Sequence, residues 1–316
     1  MANSQADRIP EQVLGAEPPS DIVTRLPETA VAAHRIREFV LQAERVRQAD
    51  LSFRTDAALA PLPECAAGLG LSHYLLLAAA IDVGVNSNDI RPFLRTLDDY
   101  LRKSGRGLFD LTSADSRLVR QAIADEMSAG RLRGWQAKRH VHRILDEANT
   151  FVREHAGGHL DVWVRDLSRP AEAVGHLARG IFFQGAGSNE TRKKMWMLMR
   201  WLVRPAPDLR LWSHLSPAGL MVPVDRHVAR FAAAAGIITG IPKAGPTWTE
   251  VVTITDFAQK LFPHDPACVD YAFFMWGRGR SRGSSDPDTC HFLFKAKRLA
   301  CPLAGIMPCS SHCGLR

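Results

Sequence analysis

The chain has 316 residues, 46% of them hydrophobic and 23% charged, which fits a folded globular protein and excludes the low-hydropathy disordered class. The net charge of +7 and pI near 9.3 favour a polyanionic partner, nucleic acid first. The apolar run Tyr74–Ile81 is far too short to span a bilayer, so no membrane partner is expected.

The opening stretch, residues 1–27, is polar and proline-containing and reads as a mobile arm. It has no basic region leading into an apolar one, so the expectation is a cytoplasmic, nucleoid-associated protein rather than a secreted one. Glu28–Gln48 then sets Val31, Ile36, Phe39, Val40 and Ala43 on one helical stripe. The next segment, from a Ser72 cap through Val85, is apolar nearly all round and predicts a central buried helix. Asn88–Gly105 and Ser113–Gly130 are helical patterns stopped by glycine, and Gly134–Gly158 is a further amphipathic helix. In Ser168–Gly187, Ser168 can cap, Pro170 fits the first turn, and Gly185 and Gly187 terminate. Thr191–Pro205 is a strongly apolar helix closed by Pro205. Thr247–Phe262 is also read as helix, although the β-branched run Val251–Thr255 argues against it. Pro266–Gly279 is the last helix. No hairpin pattern and no repeat of fixed period interrupts this series, so the fold class is all-α.

Two segments carry chemistry. The glycine turn at Gly185 and Gly187 joins two helices, a geometry that lets backbone amides approach a phosphate. The second of these helices begins Arg192-Lys193-Lys194. Lysine at a helix N-terminus opposes the macrodipole, which favours the neutral, nucleophilic amine. Further on, the run Leu220–Arg230 (LMVPVDRHVAR) leaves an apolar stretch and presents a single acid, Asp225, before another helix. Asp is a favoured N-cap, so the plain role of Asp225 is to cap that helix.

The order of a Gly-x-Gly turn, a lysine on the following helix and then VPVDRHVAR resembles the helix–hairpin–helix DNA glycosylases of the endonuclease III type. Locally it is most similar to the archaeal 8-oxoguanine glycosylase branch, in which the lysine is followed seven positions on by a basic residue, here Arg200. Leu75–Ile90 resembles the early helix of that superfamily, and the likeness runs from about Leu71 to Gly279. The segments at Trp196–Pro205, Val222–Arg230 and Asp265–Gly279 also resemble a family of uncharacterised bacterial proteins.

The resemblance implies a two-lobed fold. Residues 88–205 would form a helical barrel lobe with the hairpin, residues 28–87 and 206–284 the lobe carrying the aspartate, and residues 285–316 a tail. It implies a monomer acting on double-stranded DNA that contains a lesion or modified base, with an oxidised purine the first substrate expected. Lys193, chosen over Lys194 by the register to Arg200, is implied as the Schiff-base nucleophile, and Asp225 as the assisting carboxylate. A flipped base requires stacking aromatics, for which Trp276 and Phe182 are the first candidates, with Phe183 and Trp248 behind them. Gly185, Gly187, Arg192, Lys194, Arg278 and Arg280 are candidates for DNA contacts, the last two in a basic glycine-rich loop. A monofunctional glycosylase using water activated by Asp225, and a non-catalytic DNA-binding protein on the same scaffold, remain the competing readings.

Of the six cysteines, Cys65 and Cys268 stand alone. The other four, Cys290, Cys301, Cys309 and Cys313, crowd the tail, with intervals of ten, seven and three residues. Four thiolates suit a tetrahedral metal or a [4Fe–4S] cluster. Position in the chain, by the resemblance, points to [4Fe–4S]; the irregular spacing, with Ser281 about where the first cysteine of the superfamily would stand, keeps zinc open, with His291 and His312 as substitute ligands.

Overall fold

The computed structural model describes residues 30–49, 70–85, 87–181, 191–241, 243–279 and 303. Among the described residues every regular element is helical and there is no strand. The α-helices in chain order are α1 (Ala30–Ala49), α2 (Gly70–Ile81), α3 (Ile90–Arg102), α4 (Ser116–Ser128), α5 (Val141–Thr150), α6 (Leu160–Trp163), α7 (Pro170–Gly180), α8 (Lys193–Val203), α9 (Arg226–Ala234), α10 (Trp248–Leu261) and α11 (Val269–Gly279). None of the described helices is long and apolar enough to cross a membrane.

Local signals account for most boundaries. Helices α3 and α4 end before Gly105 and Gly130, both in the left-handed region. The β-branched run 251–255 is helical after all, as part of α10. Thr247 and Glu250 form a capping box there, and Val251 and Ile254 are fully buried, so packing outweighs the weak propensity. Ser72 is not a cap: it lies inside α2, and its hydroxyl donates to Asp161, which also accepts from Trp212 Nε1 at 2.6 Å.

The buried side chains fall into two apolar clusters. The first gathers α2 to α8 with Trp212, Leu215 and Leu220; α2 lies at its centre, against α5 and α8. The second gathers α1, α9, α10 and α11, with α9 packed along α11 and α11 against α1. Helix α2 packs in the first cluster with helices of residues 88–205. Helix α2 is apolar on every side and needs a surrounding shell of helices, which only the larger cluster supplies. The chain after α8 first folds back on that helix, with Leu209 N–H on Trp201 C=O at 2.9 Å and Trp212 N–H on Leu202 C=O at 2.8 Å. The arm 1–27 and, apart from residue 303, the tail 285–316 lie outside the described residues.

A buried charge network joins the clusters. Arg204 reaches Asp208 at 2.6 Å, Asp265 at 2.9 Å and Glu44 at 3.1 Å. Arg47 meets Asp208 at 2.9 Å, and Arg200 pairs closely with Asp270 and lies 3.6 Å from Asp208. Burial alone would raise the Asp208 pKa, but the three guanidiniums hold it below the ordinary carboxylate value.

Candidate active site

The first turns of α8 and α9 face each other, one from each apolar cluster. At the head of α8, Arg192 is in the left-handed conformation (φ 49°) and makes no side-chain cap. Lys193 and Lys194 follow, in a turn whose backbone dipoles already present positive potential. At the head of α9, Asp225 is extended and caps the helix: its Oδ1 accepts from the N–H groups of His227 at 2.8 Å and Val228 at 2.9 Å. Its other oxygen, Oδ2, lies 3.5 Å from Lys193 Nζ. The side chains of Lys193 and Asp225 are 21% and 20% exposed, so the pair is sheltered yet still open to an incoming group.

Asp225 therefore does two things with two oxygens. Burial pushes its pKa up; the Lys193 ammonium, the two helix amides and His227 outweigh that and hold it below the ordinary carboxylate value. It is an anion facing a cation, where two helix N-termini converge. Such a carboxylate can stabilise positive charge developing on a neighbouring group.

Around this pair, His227 accepts from Arg230 Nη1 through Nδ1 at 3.0 Å, and its ring packs edge-on against Phe274. Since arginine only donates, Nδ1 is the unprotonated nitrogen. Burial lowers the His227 pKa, partly offset by Asp225 and by the bond its ring makes to the Gly277 backbone. Beyond the pair, Asp270 is buried beside Arg200; burial raises its pKa, and the negative charge of Asp225 adds to that.

Lys194 is held differently from the expected phosphate contact. Its Nζ pairs with Asp82 at 2.7 Å, just past the end of α2. Desolvation lowers its pKa to about 8, against the opposing pull of Asp82. Asp82 was visible in the sequence only as one acid after an apolar helix, the same signature that singled out Asp225, but its partner lies 112 positions away.

The other expected residues divide. Trp276 is 5% exposed and edge-on to Phe231, 5.4 Å between rings; it packs in the second core. Trp248, half-buried, packs at the edge of the same core. Arg192 is half-buried and Arg278 exposed. Phe182, Phe183, Gly185, Gly187, Arg280 and Cys290, Cys301, Cys309 and Cys313 lie outside the described residues, as do Ser281, His291, His312 and Cys65. Among the described residues no cluster of His, Cys, Asp and Glu could hold a metal ion. Cys268 is a buried free thiol whose pKa burial raises.

Residues 137–278 match a family model. Its description is protein of unknown function (DUF2400). The match takes in Lys193, Asp225, His227 and Gly277 and leaves Asp82 outside. No curated protein and no solved structure matches the chain.

Proposed function

We propose that the protein is a DNA N-glycosylase with an associated strand-cleaving lyase activity, built as a two-lobed helix–hairpin–helix fold. The observation that carries this reading is the 3.5 Å approach of Lys193 Nζ to Asp225 Oδ2 between two helix N-termini. A lysine and a carboxylate separated by a sequence interval of thirty-two residues meet here, in a basic chain, as imine chemistry on a sugar requires.

In this reading Lys193 reacts as its neutral amine, its proton having gone to solvent, and Asp225, held as an anion, stabilises the positive charge that develops on the sugar. The amine lone pair bonds to C1′ of the flipped nucleotide, and the glycosidic electron pair leaves with the base, which takes up a proton. One of the two protons left on the bonded nitrogen then moves to the ring oxygen O4′ as the C1′–O4′ bond opens, giving the protonated imine; removal of a C2′ proton sends its electron pair into the sugar chain and expels the 3′ phosphate with the C3′–O electron pair. Arg192 and Arg278, with Gly185, Gly187 and Arg280, are the residues assigned to backbone phosphates. Lys194, held by Asp82, is not among them. An oxidised purine is the first substrate to test. The four tail cysteines have the donor chemistry for a [4Fe–4S] cluster, or for zinc, which would cross-link the tail.

The test is borohydride reduction in the presence of duplex DNA carrying an oxidised purine or an abasic site. Wild type forms a covalent complex and Lys193→Ala does not. Base release without a covalent complex replaces the imine by water activated by Asp225. Tight binding with no release from a panel of lesions leaves a DNA-binding scaffold and refutes the enzyme.

A further inference from the structure

A glycine on another helix sits against the turn that holds Asp225. Gly277 lies in the last turn of α11, against the first turn of α9. A Cβ built on it would fall 1.9 Å from the backbone oxygen of His227, 2.6 Å from its carbonyl carbon and 2.9 Å from its Cα. These are backbone atoms and cannot swing aside as the end of a side chain can. No other residue type fits without moving one helix relative to the other. The contact is also bonded: the carbonyl of Gly277 accepts from Arg230 Nη1 at 3.5 Å, and the Gly277 backbone holds the His227 ring.

His227 is the residue whose amide, with that of Val228, binds Asp225 Oδ1. A carboxylate is planar, so fixing Oδ1 on the amides fixes where Oδ2 points. A chain of contacts thus runs from Gly277 through the backbone of His227 to the oxygen facing Lys193.

We propose that Gly277 is a positioning residue for the Lys193–Asp225 pair, and that its missing side chain sets the depth at which the first turn of α9 seats on α11. Glycine is a poor helix former, and here its cost is offset by the approach it allows. The proposal rests on the reading of Lys193 and Asp225 as the reacting pair, but its central measurement does not need catalysis.

The experiment compares wild type, Gly277→Ala and Gly175→Ala. The last is a control in another helix, where an added Cβ meets only the mobile end of Arg179 at 3.8 Å. Two quantities are read: the titration midpoint of the Asp225 carboxyl by carbon NMR, and the rate of borohydride trapping on abasic DNA. In Gly277→Ala the midpoint climbs toward the ordinary carboxylate value. The maximal trapping rate falls about ten-fold or more, a loss in the chemical step, with half-saturation by DNA unchanged. Gly175→Ala matches wild type in both. An Asp225 midpoint unmoved in folded Gly277→Ala overturns the proposal. If Gly277→Ala does not fold, Arg230→Lys carries the test, since it keeps the positive charge while withdrawing the guanidinium from the Gly277 carbonyl and from His227 Nδ1: a smaller shift in the same direction supports the proposal and no shift overturns it. Should wild type never trap DNA, the glycosylase reading falls, and the Asp225 midpoint still decides whether Gly277 positions it.

Discussion

Asp225 offers a perturbation that separates architecture from chemistry, because its two oxygens have different partners. Asn keeps a cap acceptor of the same shape and strength while removing the charge; Ala removes both. Loss of the two amide bonds at 2.8 and 2.9 Å costs about 1 kcal/mol, the usual worth of an N-cap. Loss of the partly exposed 3.5 Å pair with Lys193 adds up to about 1 kcal/mol. Asp225→Asn should therefore be destabilised by no more than about 1 kcal/mol and Asp225→Ala by about 2 kcal/mol, measured by urea unfolding near neutral pH. Because folding depresses the Asp225 pKa, the contribution of its charge is full above the carboxyl pKa of the unfolded chain and fades as pH falls through the folded one. The gap between wild type and Asp225→Asn should close on acidification. Both variants should lose base release and trapping to the same depth, despite their unequal stability. Full activity in Asp225→Asn would refute the catalytic assignment. Equal destabilisation of Asn and Ala variants would refute the cap.

Asp208 meets Arg47, Arg200 and Arg204 in the buried network, so Asp208→Ala leaves three guanidiniums short of a carboxylate and should cost about 3–5 kcal/mol in urea unfolding. Lys194 titrates at about 8 in the fold against an ordinary 10.5, so the unfolded chain holds the proton across that window and stability rises with pH there. Relative to Lys194→Met, wild type should gain about 2 kcal/mol between about pH 7.5 and about pH 10; a flat difference would refute the desolvation of the Lys194 ammonium. The purified 316-residue chain should show broad visible absorption with iron bound, and Cys301→Ser should lose both. A colourless protein with stoichiometric zinc would assign the tail to zinc instead.

Helix identity was legible because most segments carry a 3.6-residue apolar period and a stop signal, as at Gly105 and Gly130. The cap at Asp225 was legible for a similar reason: a capping acid between an apolar run and a helix is a local feature. Choosing Lys193 over Lys194 needed the register to Arg200, and the two lysines do have different partners, Asp225 and Asp82. What sequence could not expose is long-range. Nothing near Lys194 predicts a carboxylate on α2, and Trp276 before a basic stretch resembles a binding aromatic until Phe231 is packed against its ring. The seating of Gly277 on a backbone carbonyl has no sequence signature, since glycine near a helix end usually means a cap.

The charge network between the two cores also bears on how this protein can drift in sequence. Each of its three arginines is shared between acids on different segments, Arg47 lying 3.6 Å from Glu44 as well as on Asp208, so no single charge reversal finds a ready partner. Changes at Glu44, Arg47, Arg200, Arg204, Asp208, Asp265 and Asp270 should be accepted in matched sets, and these seven positions should co-vary among relatives far more strongly than the exposed charges around them.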